Sequence, residues 1–295
     1  MPRIKANNIE IEYETFGKAS DKALLLVSGL GGQMIVWDED FIQLLVARGF
    51  YVIRFDNRDV GLSTKIEEAG EPNLMQSVIA MQAGDPVESP YSLSDMADDA
   101  VGLLDALNIE KAHICGRSMG GMIVQLITLR HPARVLSLTS IMSTTADPDL
   151  PRPSPEVGQA LLTPFPPERD AMVENAIRMS RMIYGSGFPY DEAKGRKLAG
   201  RAFDRCFYPP GFGRQLLAVF AAENRKSRLA SVTVPTLVIH GSDDPLVPVE
   251  CGKDTHEAIP GSKLLIIEGM GHSLPPEAWV QISDAIAENA AKTQT

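Results

Sequence analysis

The feature that most constrains this chain is an alternation. Short apolar runs are followed, again and again, by stretches with helical spacing. KALLLVSG (22–29) reads as a buried strand ending in glycine, and FIQLLVARGF (41–50) as a helix stopped at Gly49. YVIRFD (51–56) is a strand again. SLSDMADDAVGLLDALNI (92–109) carries Met96, Val101, Leu104 and Leu107 at helical intervals, behind a cap at Ser92 or Ser94. KAHICG (111–116) and VLSLTSIM (135–142) are strands, separated by the helical MGGMIVQLITLRHP (119–132). VPTLVIHG (234–241) and KLLIIEG (263–269) repeat the theme, and WVQISDAIAENAA is a last helix that frays into KTQT. IEIEYET, from Ile9, alternates apolar and polar as a half-buried strand does. Strands joined through helices need crossover connections. The expected fold class is therefore α/β, with a mainly parallel sheet and helices on both faces.

The alternation breaks between residues 143 and 232. A proline cluster (Pro148, Pro151, Pro153, Pro155) opens a segment with no convincing strand. Three helix candidates follow, at 166–185, 191–207 and 213–226. The expectation is one core domain built from residues 1–142 and 233–295, with an all-helical insertion at 143–232.

One serine stands out within this frame. In HICGRSMGGMI, Ser118 lies between Gly116 and Gly120, after a strand and before a helix. G-x-S-x-G in that setting is the signature of a nucleophile elbow, a tight strained turn that lifts the hydroxyl above the sheet. Glycine is needed at both flanks because neighbouring backbone crowds the turn. A glycine-rich strand–helix turn with an incidental serine is the plainer alternative, and the five-residue pattern alone is weak. A serine hydroxyl also needs a base, and the base needs an orienting acid.

Five histidines are available. His113 lies inside a strand and reads as structural. His131 ends a helix as RHP, His240 ends a strand, and His256 sits in a polar helix as a solvated residue. His272 follows a buried-looking strand in the tight loop GMGHSLP, where a side chain overhangs the crevice at the strand ends. It is the candidate base. HGSDDPLVP offers Asp243 and Asp244 as the acid, although an Asp-Asp-Pro turn can use aspartate for turn chemistry alone. The oxyanion donors should be the amide after the nucleophile, Met119, and one from the glycine-rich loop VSGLGGQ, for which Leu30 is the candidate.

Together, SGLGG (28–32), DNRDVGLST (56–64), GRSMGG (116–121), GSDDPLVP (241–248) and GMGHSLP (269–275) resemble the α/β-hydrolase family over nearly the whole chain. Within it, the run from SGLGG through FDNRDVGLST looks most like the aclacinomycin methylesterase group. The resemblance implies that the acid is the aspartate of G-x-x-D-x-x-x-P, which falls on Asp244. It implies that DNRDVGLST fixes a loop beneath the site, and that 143–232 is a lid. Ser28 stands where many relatives carry histidine. Backbone amides form the oxyanion hole, so that difference leaves the hole available.

The expected activity is hydrolysis of a small to medium, mainly apolar carboxylic ester by a Ser118–His272–Asp244 triad, through an acyl-enzyme and without metal or organic cofactor. Met172, Met179, Met182, Phe203, Phe207 and Phe220 can line an acyl pocket, though at helical spacing such residues are more often core. A lactonase or a cofactor-free perhydrolase needs the same triad, and a receptor-like binder can retain it. The net charge of −10 argues against nucleic acid and against anionic membrane surfaces. Cys115, Cys206 and Cys251 form no CxxC and fit a reduced compartment. MPRIKANNIEIEYETFG has no apolar signal core, and ALLLV is too short to span a bilayer, so the expected location is cytoplasmic. No exposed heptad or interface stripe indicates an oligomeric state.

Overall fold

A computed structural model describes residues 2–293. The last two residues of the KTQT tail lie outside the described residues. Eight strands form one sheet: β1 (Arg3–Ala6), β2 (Ile9–Phe16), β3 (Lys22–Val27), β4 (Phe50–Phe55), β5 (Ala112–Arg117), β6 (Val135–Ile141), β7 (Thr236–Gly241) and β8 (Lys263–Ile267). Their order across the sheet is β1-β2-β4-β3-β5-β6-β7-β8. β2 runs antiparallel to both β1 and β4, and every other pairing is parallel. The β1–β2 hairpin turns on Asn7 and Asn8, both with positive φ (45° and 65°). A two-residue hairpin loop of that geometry matches the strands' twist, and asparagine tolerates it.

The helices are α1 (Glu39–Val46), α2 (Leu74–Ala83), α3 (Leu93–Ala106), α4 (Met119–Arg130), α5 (Pro155–Leu161), α6 (Arg169–Ile183), α7 (Glu192–Arg205), α8 (Pro209–Phe220), α9 (Lys226–Leu229), α10 (Val249–Ala258) and α11 (Trp279–Ala290). Ser92 caps α3: its hydroxyl accepts from Asp95 N, and the Asp95 carboxylate accepts from Ser92 N. Between β6 and β7 the described residues hold helices α5 to α9 and no strand. Neither α2 nor α5 stands out from the sequence. α8 starts earlier than its apolar spacing suggests, because Pro209 and Pro210 occupy its first turn, where a missing N–H costs nothing.

Each face of the sheet has its own core. Leu25 and Val27 of β3 join Ile53, Phe55, Ile114 and Leu138 beneath α3 and α4. Leu24 and Leu26 join Val52, Cys115, Ile141, Leu237 and Ile239 beneath α1 and α11. Alternate residues thus face opposite layers and both are covered, so the strands read as continuous apolar runs. The chain crosses from β3 to β4 on one side and to β5 on the other. Loops leaving β3 and β5 therefore diverge at a topological switch point, where open α/β sheets form a crevice. No helix among the described residues is long and apolar enough to cross a membrane.

Candidate active site

Ser118 sits in that crevice, between the end of β5 and the start of α4, with φ 57° and ψ −126°. Such backbone is strained for a residue with a Cβ and persists only when its surroundings impose it. The surroundings are close. A Cβ on Gly116 would lie 2.0 Å from Gly120 O, and one on Gly120 would lie 2.2 Å from Val27 O. Both flanking glycines are thus sterically required. Ser118 N donates to Ile141 O at 2.9 Å, and Ser118 O accepts from Gly121 N and from Ser143 Oγ, each at 2.8 Å.

His272 and Asp244 come together from the loops after β8 and β7. His272 Nδ1 lies 2.6 Å from Asp244 Oδ2, and the two side chains are 4% and 0% exposed. Asp244 Oδ1 accepts from Leu246 N at 2.9 Å and Val247 N at 2.8 Å. Both carboxylate oxygens are therefore committed, one to a tight turn and one to the imidazole. Asp243 faces elsewhere, bonded to the hydroxyls of Ser186 and Ser242. His272 N donates to Ile183 O and Gly271 N to Tyr184 O, so the end of α6 holds the histidine loop in place. His272 Nε2 is buried and has no partner among the described residues. No hydrogen bond joins it to Ser118 Oγ, but both residues line one cavity.

The other histidines are engaged elsewhere. His113 pairs with Ser137 Oγ at 2.8 Å, and burial lowers its pKa to about 4. His131 caps α4 and meets Asp98 at 2.7 Å. His240 Nε2 donates to Val247 O at 2.7 Å, beside Asp244, and burial lowers its pKa, which keeps the ring neutral. His256 is not freely solvated: it is half-buried and its Nδ1 meets Ser262 Oγ at 2.8 Å, because α10 packs its last turn against the entry to β8.

In the loop after β3, Gly31 N donates to Gln215 Oε1 at 2.8 Å and Gly32 N to Gly29 O at 3.1 Å. The amides of Leu30 and Met119 have no partner among the described residues and line the cavity. Gly29 places backbone against the serine, since a Cβ there would lie 3.0 Å from Ser118 Cβ.

The DNRDVGLST loop ties this loop to the helices between β6 and β7. Asp56 is fully buried; it accepts from Met34 N at 2.7 Å and pairs with Arg205 at 2.7 Å. Asp59 makes two bonds of 2.8 Å to Arg214 of α8. Burial pushes the Asp59 carboxyl up, but its bonds to Arg214 and to Ile66 N and the Arg214 charge act together to hold it below the usual range. The next residue, Gln215, clamps Gly31 N and also donates to Arg58 O at 2.8 Å. Arg205, Arg214 and Gln215 carry no sequence signal for these roles; each partner lies more than a hundred residues away.

The cavity measures ≈ 810 Å³ and runs from Ser118 and His272 beneath α5 to α8. Met172, Met179, Met182, Phe203, Phe207 and Phe220 all line it, so at these positions helical spacing marks a wall and not buried core. No group of three or more metal-binding side chains occurs among the described residues.

The fold agrees with that of known proteins this chain resembles. A family model described as alpha/beta hydrolase fold matches residues 22–278. Rhodomycin D methylesterase of Streptomyces peucetius is 29% identical over 309 residues, covering 97% of each chain. A 2-hydroxy-6-oxononadienedioate/2-hydroxy-6-oxononatrienedioate hydrolase of Cupriavidus pinatubonensis is 33% identical over 213 residues, 70% of this chain and 69% of that one. Among solved structures, a meta-cleavage product hydrolase from Pseudomonas fluorescens superposes with a TM-score of 0.75 at 19% identity, covering 100% of this chain and 98% of that one. At that identity the likeness concerns the fold.

Proposed function

Because this chain belongs to the α/β-hydrolase family, we propose that it is a serine carboxylic ester hydrolase acting on small to medium, mainly apolar esters. The observation that carries this reading is the buried 2.6 Å Asp244–His272 pair on the wall of the cavity that also presents Ser118. The esterases and hydrolases among its relatives support the reaction class.

In this reading Ser118 Oγ attacks the ester carbonyl carbon while His272 Nε2 takes its proton. The free Nε2 is the acceptor that step needs, and the hydrogen bond from Ser118 forms as substrate settles, since catalytic contacts often tighten only in the complex. Asp244 keeps the proton on Nδ1 and stabilises the imidazolium. The unpaired amides of Leu30 and Met119 receive the oxyanion, helped by the positive end of α4. The intermediate collapses, the C–O bond breaks, and His272 gives its proton to the departing alcohol. Water, deprotonated by His272, then releases the acid and restores Ser118. Every proton and electron pair is accounted for by protein, ester and water. Residues 143–232 act as the lid whose helices exclude solvent and set acyl-chain size.

The test is release of p-nitrophenol from acetate, butyrate and octanoate esters by the wild type and by Ser118→Ala. Turnover should fall by roughly 10³-fold or more in the variant, with no change in melting temperature beyond a few degrees. A folded Ser118→Ala protein that keeps most of its rate would remove the serine from the mechanism.

A further inference from the structure

Arg117, the residue directly before Ser118, is an exception among the arginines drawn into this fold. Arg54 meets Glu14 at 2.5 Å, Arg58 meets Asp99 at 2.6 Å, and Arg214 meets Asp59 at 2.8 Å. Arg225 donates to Gln125 Oε1 and to the carbonyls of Glu223 and Thr144. The Arg117 side chain makes no hydrogen bond and no ion pair among the described residues. Its guanidinium carbon lies 6.0 Å from the Trp37 ring centroid, and that aromatic face is its one specific contact. It is only partly exposed, and it lines the same cavity as Ser118 and His272.

The acids around the cavity do not answer it. Asp59 is bound to Arg214, Asp147 lies 3.1 Å from Lys226, and Asp244 is bound to His272. The other cavity arginines, Arg152 and Arg178, are exposed. The cavity that holds Ser118 therefore carries a guanidinium that feels the Asp244 charge but has no carboxylate bonded to its fork. Burial lowers the Arg117 pKa to about 10, against an opposing pull from Asp244, so it remains charged at neutral pH. A partly desolvated guanidinium that bonds to no protein oxygen adds little to a fold, and such a group beside a nucleophile is better explained by what binds there.

We propose that Arg117 is a carboxylate-binding residue, and that the substrate is an ester bearing a free carboxylate on its acyl part, a half-ester of a dicarboxylic acid. This deepens the esterase reading and rests on Ser118 as nucleophile. The guanidinium presents a planar fork matched to two carboxylate oxygens, and stacking on Trp37 limits its freedom before the ligand arrives. Arg117 and Ser118 line one cavity, so an acyl group held at Ser118 can extend a carboxylate towards the fork. The Met and Phe walls take the methylene chain between the two ends.

The experiment compares methyl hydrogen succinate, glutarate and adipate with methyl esters in which an isopropyl group replaces the free carboxylate. Hydrolysis is followed by pH-stat for the wild type, Arg117→Gln and Arg117→Lys. The wild type should prefer the best acid ester over its neutral counterpart by about tenfold or more in kcat/KM, the scale of one charge-assisted contact. Arg117→Gln should bring that ratio to about one whatever its absolute rate, and Arg117→Lys should restore part of it. A wild-type ratio of one, or an equal fall on both ester types in Arg117→Gln, overturns the proposal. Binding gives a second readout that needs no turnover. Glutarate should bind Ser118→Ala protein in a calorimeter and lose most of its affinity in Ser118→Ala/Arg117→Gln. Binding through Arg117 without hydrolysis of any ester would retire the esterase reading and keep the anion site. Hydrolysis of neutral esters without dicarboxylate binding would do the reverse. Removal of an unpaired charge should also leave the melting temperature of Arg117→Gln equal to the wild type or above it. A fall of several degrees would show that Arg117 holds the fold together, and would count against the proposal.

Discussion

Asp244→Asn gives the sharpest test of the site's electrostatics, because the structure dictates how the new amide must sit. Asp244 Oδ1 accepts two backbone N–H groups, from Leu246 and Val247. An amide nitrogen cannot accept there, so the asparagine oxygen takes that place and its NH2 group faces His272 Nδ1. A donor opposite Nδ1 forces the ring proton onto Nε2. The imidazole then has the wrong tautomer to act as base towards Ser118. The loss should be about 10³- to 10⁴-fold in kcat, or ~4–5.5 kcal/mol in the barrier. Stability should barely move, since shape and both turn hydrogen bonds survive. For a chain of 295 residues, ~1 kcal/mol corresponds to a melting shift of only ~2 °C. The assay is steady-state hydrolysis of p-nitrophenyl butyrate beside thermal unfolding, with Asp243→Asn as the companion. Asp243 touches Ser186 and Ser242 and not His272, so its variant should stay within about threefold of the wild type. An Asp244→Asn enzyme with more than a tenth of the wild-type rate, or an inactive Asp243→Asn enzyme, would refute the assignment of the acid.

Two stability predictions follow from buried charge. Asp59→Asn leaves the 2%-exposed Arg214 without its counter-ion and should cost ~3–5 kcal/mol, a melting loss of roughly 5–8 °C. Asp59→Asn/Arg214→Met should lose clearly less than the two single changes added together, and strict additivity in that cycle would show that the pair is not coupled. His113 makes part of the stability pH-dependent. Its folded pKa of about 4 lies below the unfolded value near 6.5, so the unfolded chain binds the extra proton between those values. Its contribution is complete above pH 6.5 and is lost as pH falls towards 4, by ~3 kcal/mol in all. Denaturant midpoints from pH 7 to 4.5 should fall less steeply for His113→Gln than for the wild type; parallel curves would refute the assignment.

Much of this architecture is local in origin, and local features are readable. The apolar runs of β3 to β7 stand out because both faces of the sheet are covered there. The turn around Ser118 stands out because two glycines are the only residues its neighbours leave room for. The α2 and α5 helices do not stand out because neither has an apolar stripe: α2 buries only Ser77 and α5 only Val157. The polar helix around His256 reads as solvated, but its partner Ser262 arrives from the turn after α10.

By itself the sequence determined the α/β class, the position of the strained serine, and the strand ends that carry Asp244 and His272. Periodicity, turn chemistry and motif spacing are properties of neighbouring residues. Only the tertiary structure decided that Met172, Met179 and Phe203 form a wall, that α6 fastens the His272 loop, and that Gln215 fixes Gly31. It alone distinguished Arg214, which has a carboxylate, from Arg117, which has none. The physical reason is range. Hydrogen bonds and ion pairs act over a few ångströms in space, and the fold alone brings partners far apart in the chain to that distance.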